Sequence, residues 1–310
     1  MDLLVRTLLG PWQFDPGVVL NLSLLALVHG LGWWRLRRRG HRGLANGWRL
    51  AAYLGGLFAL ALALLSPIDG LGGLLLMFHM VQHLLLMMVA APLLLLANPF
   101  PVFLWALPRG LRLAVGGLFR PQTALVRALR MATNPLVAWM VYLTVFLGWH
   151  DPNLYDLALG YPWVHDLEHG SFFLGALLFW WHVIGAGPQI HRRLSTFQRA
   201  LYALSMVPAN MLTGVAIAFS ETPIYTYYTT VPRIYGIGVM EDQVWGGQIM
   251  WIPGSMMYLL AALILFSRLM SDASPAAPPM EAWETEEALL APGLEGQGHR
   301  RKWHALKHEL

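Results

Sequence analysis

The chain contains no cysteine in 310 residues, which excludes disulfides, thiolate metal sites and thiol redox chemistry. Charge is also scarce. Asp, Glu, Lys and Arg make up 12% of the residues, against about 25% in soluble domains. Apolar residues account for 56%, and a soluble protein so composed would have too little polar surface to cover a core. A helix bundle in a bilayer needs no such cover along its sides. The composition therefore predicts an all-α fold, a polytopic membrane helix bundle. With no thiolate present, any soft metal ligand must be histidine or methionine.

Apolar runs near the roughly 20 residues that cross a 30 Å hydrocarbon core fall at 17–35, 48–65, 73–97, 135–149, 165–187, 199–219 and 244–267, which predicts seven transmembrane helices. The stretch 101–119 is apolar too, but it holds Pro101, Pro108, Arg109 and Arg112 and reads as an interfacial segment. Arginines crowd the loops after the first (Arg35, Arg37, Arg38, Arg39, Arg42, Arg49), third (Arg109, Arg112, Arg120, Arg127, Arg130) and fifth runs (Arg192, Arg193, Arg199). The alternate loops are acidic, with Arg233 the one exception. The positive-inside rule then puts the N-terminus outside and the C-terminus in the cytoplasm of a multi-pass membrane protein. An eighth span at 101–119 would break this alternation. Positive charge follows the first run instead of preceding it, the pattern of a retained anchor and not of a cleaved signal. Residues 1–270 are expected to form the transmembrane domain. Residues 271–310, rich in Ala, Pro, Glu and Gly and ending in GHRRKWHALKHEL, are expected to form a disordered cytoplasmic tail.

The polar residues that the membrane does not explain are dominated by two i, i+4 histidine pairs: His79 with His83 in FHMVQHLLLMM, and His165 with His169 in WVHDLEHGSFF. A spacing of four sets two imidazoles on one helical face with Cβ atoms about 5–6 Å apart, a chelating arrangement. Under the predicted topology both helices enter from the outer side. His150 and Asp242, with Glu241, then border the same outward vestibule. Two readings remain for the pairs: hydrogen-bonded packing residues, or ligands of a metal, since an unsatisfied buried polar group costs roughly 2–7 kcal/mol. The candidate metal ligands are His79, His83, His165, His169, His150 and Asp242. Asp69, Asp151, Asp156, Asp166 and Glu168 read as solvated, with Asp166 or Glu168 able to orient an imidazole. His29 and His182 read as packing residues, as do most of Met77, Met80, Met87 and Met88, although thioethers favour Cu(I).

Three segments, SPIDGLGGLLLMFHMVQHLLLMMVAAPLLLLANP, HDLEHGSFFLGALLFWW and EDQVWGGQIMWIPG, in that order, resemble the multi-spanning bacterial CtaG family of caa3-type cytochrome c oxidase assembly factors. The similarity runs from about Ser66 to Phe266 and carries the family's motif onto His79, Gln82, His83, His165, Glu168, His169, Asp242 and Gln243. It implies a non-enzymatic role in oxidase maturation with copper as the metal. The implied partners are cytochrome c oxidase subunits, the lipid bilayer and a periplasmic or extracellular copper chaperone, with no nucleic acid. The alternatives from the residues alone are a membrane-embedded zinc or iron metalloenzyme, with Glu168 or Asp242 as general base, and a metal transporter. The transporter would need polar residues on the inner side beyond His29 and His182.

Overall fold

A computed structural model describes Gly10 and residues 12–272, apart from 121, 187–189 and 192. The expected tail at 271–310 falls outside the described residues, save the final turn of the last helix, and so does Arg192. The chain divides into two units, and the larger, Met1–Ser267, holds nearly all of the described residues. Among the described residues every regular element is helical: α1 (Pro16–Arg38), α2 (Gly47–Leu65), α3 (Pro67–Gly72), α4 (Leu76–Leu96), α5 (Pro99–Ala106), α6 (Arg109–Leu118), α7 (Ala124–Ala132), α8 (Pro135–Trp149), α9 (Pro152–Gly160), α10 (Pro162–Ile184), α11 (Thr196–Leu204), α12 (Val207–Ala218), α13 (Tyr227–Thr230) and α14 (Val239–Asp272).

Five of these stretches are long and apolar enough to cross a membrane: α1, α2, α4, α11 with α12 taken together, and α14. α7 and α8 make a sixth if their 53° bend is counted within one span. α10 has 23 residues, as many as α1, but Glu168 and His169 dilute its apolar run. The 101–119 segment forms two short helices, most of α5 and all of α6, neither of them near the length of a span. α5 packs on α1, where a Cβ on Gly32 would clash with the Val102 carbonyl oxygen.

Two local features position the site. α4 is not a uniform α-helix, because Leu85–Ala90 forms a π-turn immediately before Pro92. Proline removes an amide donor and crowds the carbonyl four residues earlier, and the wider π-turn relieves that crowding. The Trp180 indole N–H takes the Met87 carbonyl at 2.9 Å, tying α10 to this turn. α14 comes close to its neighbours through the paired glycines of VWGGQ. A Cβ on Gly247 would sit 2.6 Å from the Ala218 nitrogen, and one on Gly246 2.7 Å from Leu76 Cγ. The core between α8, α10 and α14 is aromatic, with Tyr142 and Tyr258 sharing a buried hydroxyl hydrogen bond of 2.8 Å.

Candidate metal centre

α4 begins at Leu76 without a side-chain cap of its own from Leu75. Its first amides are satisfied from 166 residues away: the Asp242 carboxylate accepts from Leu76 N at 2.9 Å and Met77 N at 3.0 Å. The same carboxylate pairs with Arg233 at 3.0 Å, and Arg233 also donates to the carbonyls of Leu74 and Ile237. Asp242 was expected among the metal ligands. Its oxygens instead cap the helix that carries His79 and His83, a role that sequence distance conceals. Asp242→Ala would strand two amides and a guanidinium, and its expected cost is about 3 kcal/mol, read as a lowered thermal unfolding midpoint in detergent, with Asp242→Asn milder.

Gln82 locks the opposite face of α4, donating to the Ala63 carbonyl at 2.8 Å and to Asp69 Oδ1 at 2.7 Å. Asp69 is therefore half-buried and structural, where the sequence suggested a solvated residue. Gln243 bridges Ile224 N and the Thr222 carbonyl at 2.7 and 3.2 Å, closing the loop before α13.

With α4 so held, His79 and His83 project toward α10 and meet Glu168 and His169. One donor atom from each of these four residues lies within 4.8 Å of every other, and all four residues are buried. His79 Nε2 is 3.6 Å from Glu168 Oε2, and His83 Nε2 is 3.5 Å from Glu168 Oε1. Those distances are too long for charge-assisted hydrogen bonds, which close to about 2.7–2.9 Å. They are near the separation of roughly 3.3 Å between two ligands each 2.0–2.1 Å from one tetrahedral metal. His79 Nε2, both ring nitrogens of His83, both oxygens of Glu168 and His169 Nε2 are buried with no hydrogen-bond partner in the protein. Orphans of that kind are rare in native structures, and here they face one another.

A hydrogen-bond chain behind His79 fixes which nitrogen faces the cluster. Tyr155 Oη lies 2.9 Å from His79 Nδ1 and 3.3 Å from Tyr228 Oη, and Tyr228 donates to the Gly72 carbonyl at 2.7 Å. Burial pushes both phenols well above their ordinary range, so each keeps its proton. Tyr228 spends its proton on Gly72, so when Tyr155 donates to Tyr228 it accepts from His79 Nδ1–H. That tautomer puts the lone pair of His79 on Nε2, the nitrogen that faces Glu168. Groups placed behind a ligating histidine in this way set its tautomer and orientation.

The remaining candidates lie around this core. His165 is half-buried at its rim, its ring 4.0 Å from His169 and 5.2 Å from His79. His150 hydrogen-bonds the Phe146 carbonyl through Nδ1 at 2.6 Å and stands 6.3 Å from His83, ring to ring. Beside them a cavity of about 20 Å³ is lined by Met80, Met87, Met88, Met250, His83 and His150, so the π-turn directs two thioethers toward the histidines. Glu168, read from the sequence as solvated, is fully buried at the centre. His182 bonds the Thr133 carbonyl and His29 stacks on Tyr53, both apart from the cluster.

A family model described as cytochrome c oxidase caa3 assembly factor (Caa3_CtaG) matches residues 27–272. The chain belongs to that family. Caa3_CtaG is a family of oxidase assembly factors, in agreement with the non-enzymatic role expected from the resemblance. Among curated proteins the chain is 28% identical over 260 residues to uncharacterized proteins of Mycobacterium bovis and Mycobacterium tuberculosis, covering 80% of this chain and 37% of each relative. It is 26% identical over 269 residues to an uncharacterized protein of Mycobacterium leprae, with 83% of this chain and 39% of the relative covered. The chain thus spans little more than a third of the length of the curated relatives it matches. No solved structure matches it. Within the Caa3_CtaG match lie all four residues of the buried cluster and both tyrosines behind it.

Proposed function

We propose that this Caa3_CtaG chain holds a copper ion between α4 and α10 and passes it to a subunit of a caa3-type cytochrome c oxidase during assembly. The observation that carries the reading is the set of unpartnered donor atoms of His79, His83, Glu168 and His169, all within 4.8 Å of one another and drawn from two helices. His165 at the rim serves the entering or leaving ion, and the thioethers of Met80, Met87, Met88 and Met250 beside His83 supply the soft donors that Cu(I) prefers. Histidine binds metal in its neutral form and releases it on protonation, a property suited to cargo. The donor is a copper chaperone on the outer side of the membrane.

In this reading the chain crosses the inner membrane seven times with the N-terminus outside. The spans are the five apolar stretches, the bent α7–α8 pair, and α10, whose polarity is that of the metal site it carries. The arginine-rich loops then lie in the cytoplasm, as the positive-inside rule requires.

Glu168 supports a second reading. A carboxylate is a hard ligand that favours zinc or iron over Cu(I), and a zinc site with an open position would suit a membrane metalloenzyme. Cells lacking this chain separate the two. Their oxidase is expected to retain haem but to be deficient in copper, with activity returning on complementation by the wild-type chain. A fully copper-loaded oxidase in those cells would refute the copper-delivery role. Replacing Tyr155 by Phe removes the hydroxyl bonded to His79 Nδ1 while sparing all four ligands, and it should weaken metal binding about 10–100-fold, measured by competition with a chromogenic chelator.

A further inference from the structure

A second site lies at the opposite end of α1. With 23 residues, α1 is about 34 Å long at 1.5 Å per residue, so when it crosses a 30 Å hydrocarbon core its C-terminal turn emerges at the level of the headgroups. There Trp34, Arg35, Arg38 and Arg39 face Trp105, Leu107, Pro108, Arg109 and Arg112 of the α5–α6 segment across an open cleft of about 370 Å³. That volume is within the range of small-molecule sites. Arg35 is spent on the Ala106 and Trp105 carbonyls, which fixes the cleft's floor. The Arg112 guanidinium lies 4.0 Å over the Trp105 ring and that of Arg39 5.3 Å from the same ring, while Arg38 lies 4.0 Å over Trp34.

None of these five arginines is paired with a carboxylate among the described residues. Burial, then the charges of Arg39, Arg109 and Arg35, pull the Arg112 guanidinium below its ordinary value. Like charges held together by aromatic faces leave a concentrated positive field with no counter-ion among the described residues. α6 carries no buried residue, so its apolar side chains, Leu111 and Leu113 among them, are free to meet acyl chains.

We propose that this cleft binds the phosphodiester headgroup of an anionic phospholipid, with Arg39, Arg109 and Arg112 on the phosphate and Trp34 and Trp105 against the glycerol and upper acyl carbons. Basic pockets beside membrane helices recognise anionic headgroups in this way, and Arg matches phosphate geometry better than Lys. The site is independent of the metal centre. It would anchor the α5–α6 segment at the membrane surface and make the fold responsive to anionic lipid.

The test uses the full chain in nanodiscs of phosphatidylglycerol and phosphatidylcholine, released into native mass spectrometry, with Arg39→Gln/Arg112→Gln as the variant and Arg35 left intact. One phosphatidylglycerol should be retained by the wild type in preference to phosphatidylcholine, with retention roughly 30-fold weaker in the variant, the loss of two phosphate contacts. A parallel titration of tryptophan fluorescence with inorganic phosphate in neutral detergent separates the sources. Saturation by phosphate without lipid retention overturns the lipid assignment. Equal retention of the two lipids by the wild type, or of phosphatidylglycerol by wild type and variant, overturns the site itself.

Discussion

His79→Ala/His83→Ala is expected to lower metal affinity by at least about a thousandfold, since four-ligand sites bind with roughly 10–16 kcal/mol and the variant loses half of the ligands. Both side chains come from one face of α4 and lie against Glu168. His165 and His150 are nearby but stand outside the group of four whose donor atoms converge. The loss should extend to the cell, as an oxidase that does not mature. Stability should change little by comparison. The substitution opens a cavity, which destabilises, but it also removes three buried nitrogens that have no hydrogen-bond partner. A packing role predicts the reverse: a large fall in unfolding temperature and no effect on metal.

Glu168→Gln separates ligand from structural residue more sharply. The substitution keeps the shape and removes the charge. As the central ligand, Glu168 should be worth about 100-fold or more in metal affinity, the upper end of what supporting residues contribute. In the metal-free protein both of its oxygens are buried and unpartnered, so replacing the carboxyl by a neutral amide breaks no contact and removes the cost of burying an uncompensated charge. The variant should therefore unfold no earlier than the wild type without metal, yet gain less when metal is added. If Glu168 were instead one half of a structural ion pair, removing it would destabilise the apo protein by about 3–5 kcal/mol. Thermal unfolding with and without metal reads both numbers.

Much of this arrangement is legible in the sequence. The i, i+4 spacing of His79 with His83 and of His165 with His169 sets each pair on one helical face by geometry alone, and donors from both helices meet in the structure. What the sequence hides is long-range. Asp242 has the composition of a ligand and the position of one, but its partners are amides 165 and 166 residues earlier, and nothing local announces that. Glu168 was concealed by its neighbours: next to Asp166 and near the start of an apolar run, it reads as the solvated entrance of a helix. The available signal was its register, three residues after His165 and one before His169, which sets it beside the histidine face. Tyr155 and Tyr228 sit on short helices outside the apolar runs and reach His79 only through the tertiary fold. The π-turn in α4 was foreshadowed by Pro92, since a proline inside a helix demands some local adjustment, although its form was not.

The central claim is that His79, His83, Glu168 and His169 bind copper as one site. Its most direct test is elemental analysis of the detergent-purified full chain after reconstitution with Cu(I) under reducing conditions, wild type beside His79→Ala/His83→Ala. One copper per chain in the wild type and none in the variant is the predicted result. Zinc or iron retained in place of copper, or equal copper in both proteins, would contradict it.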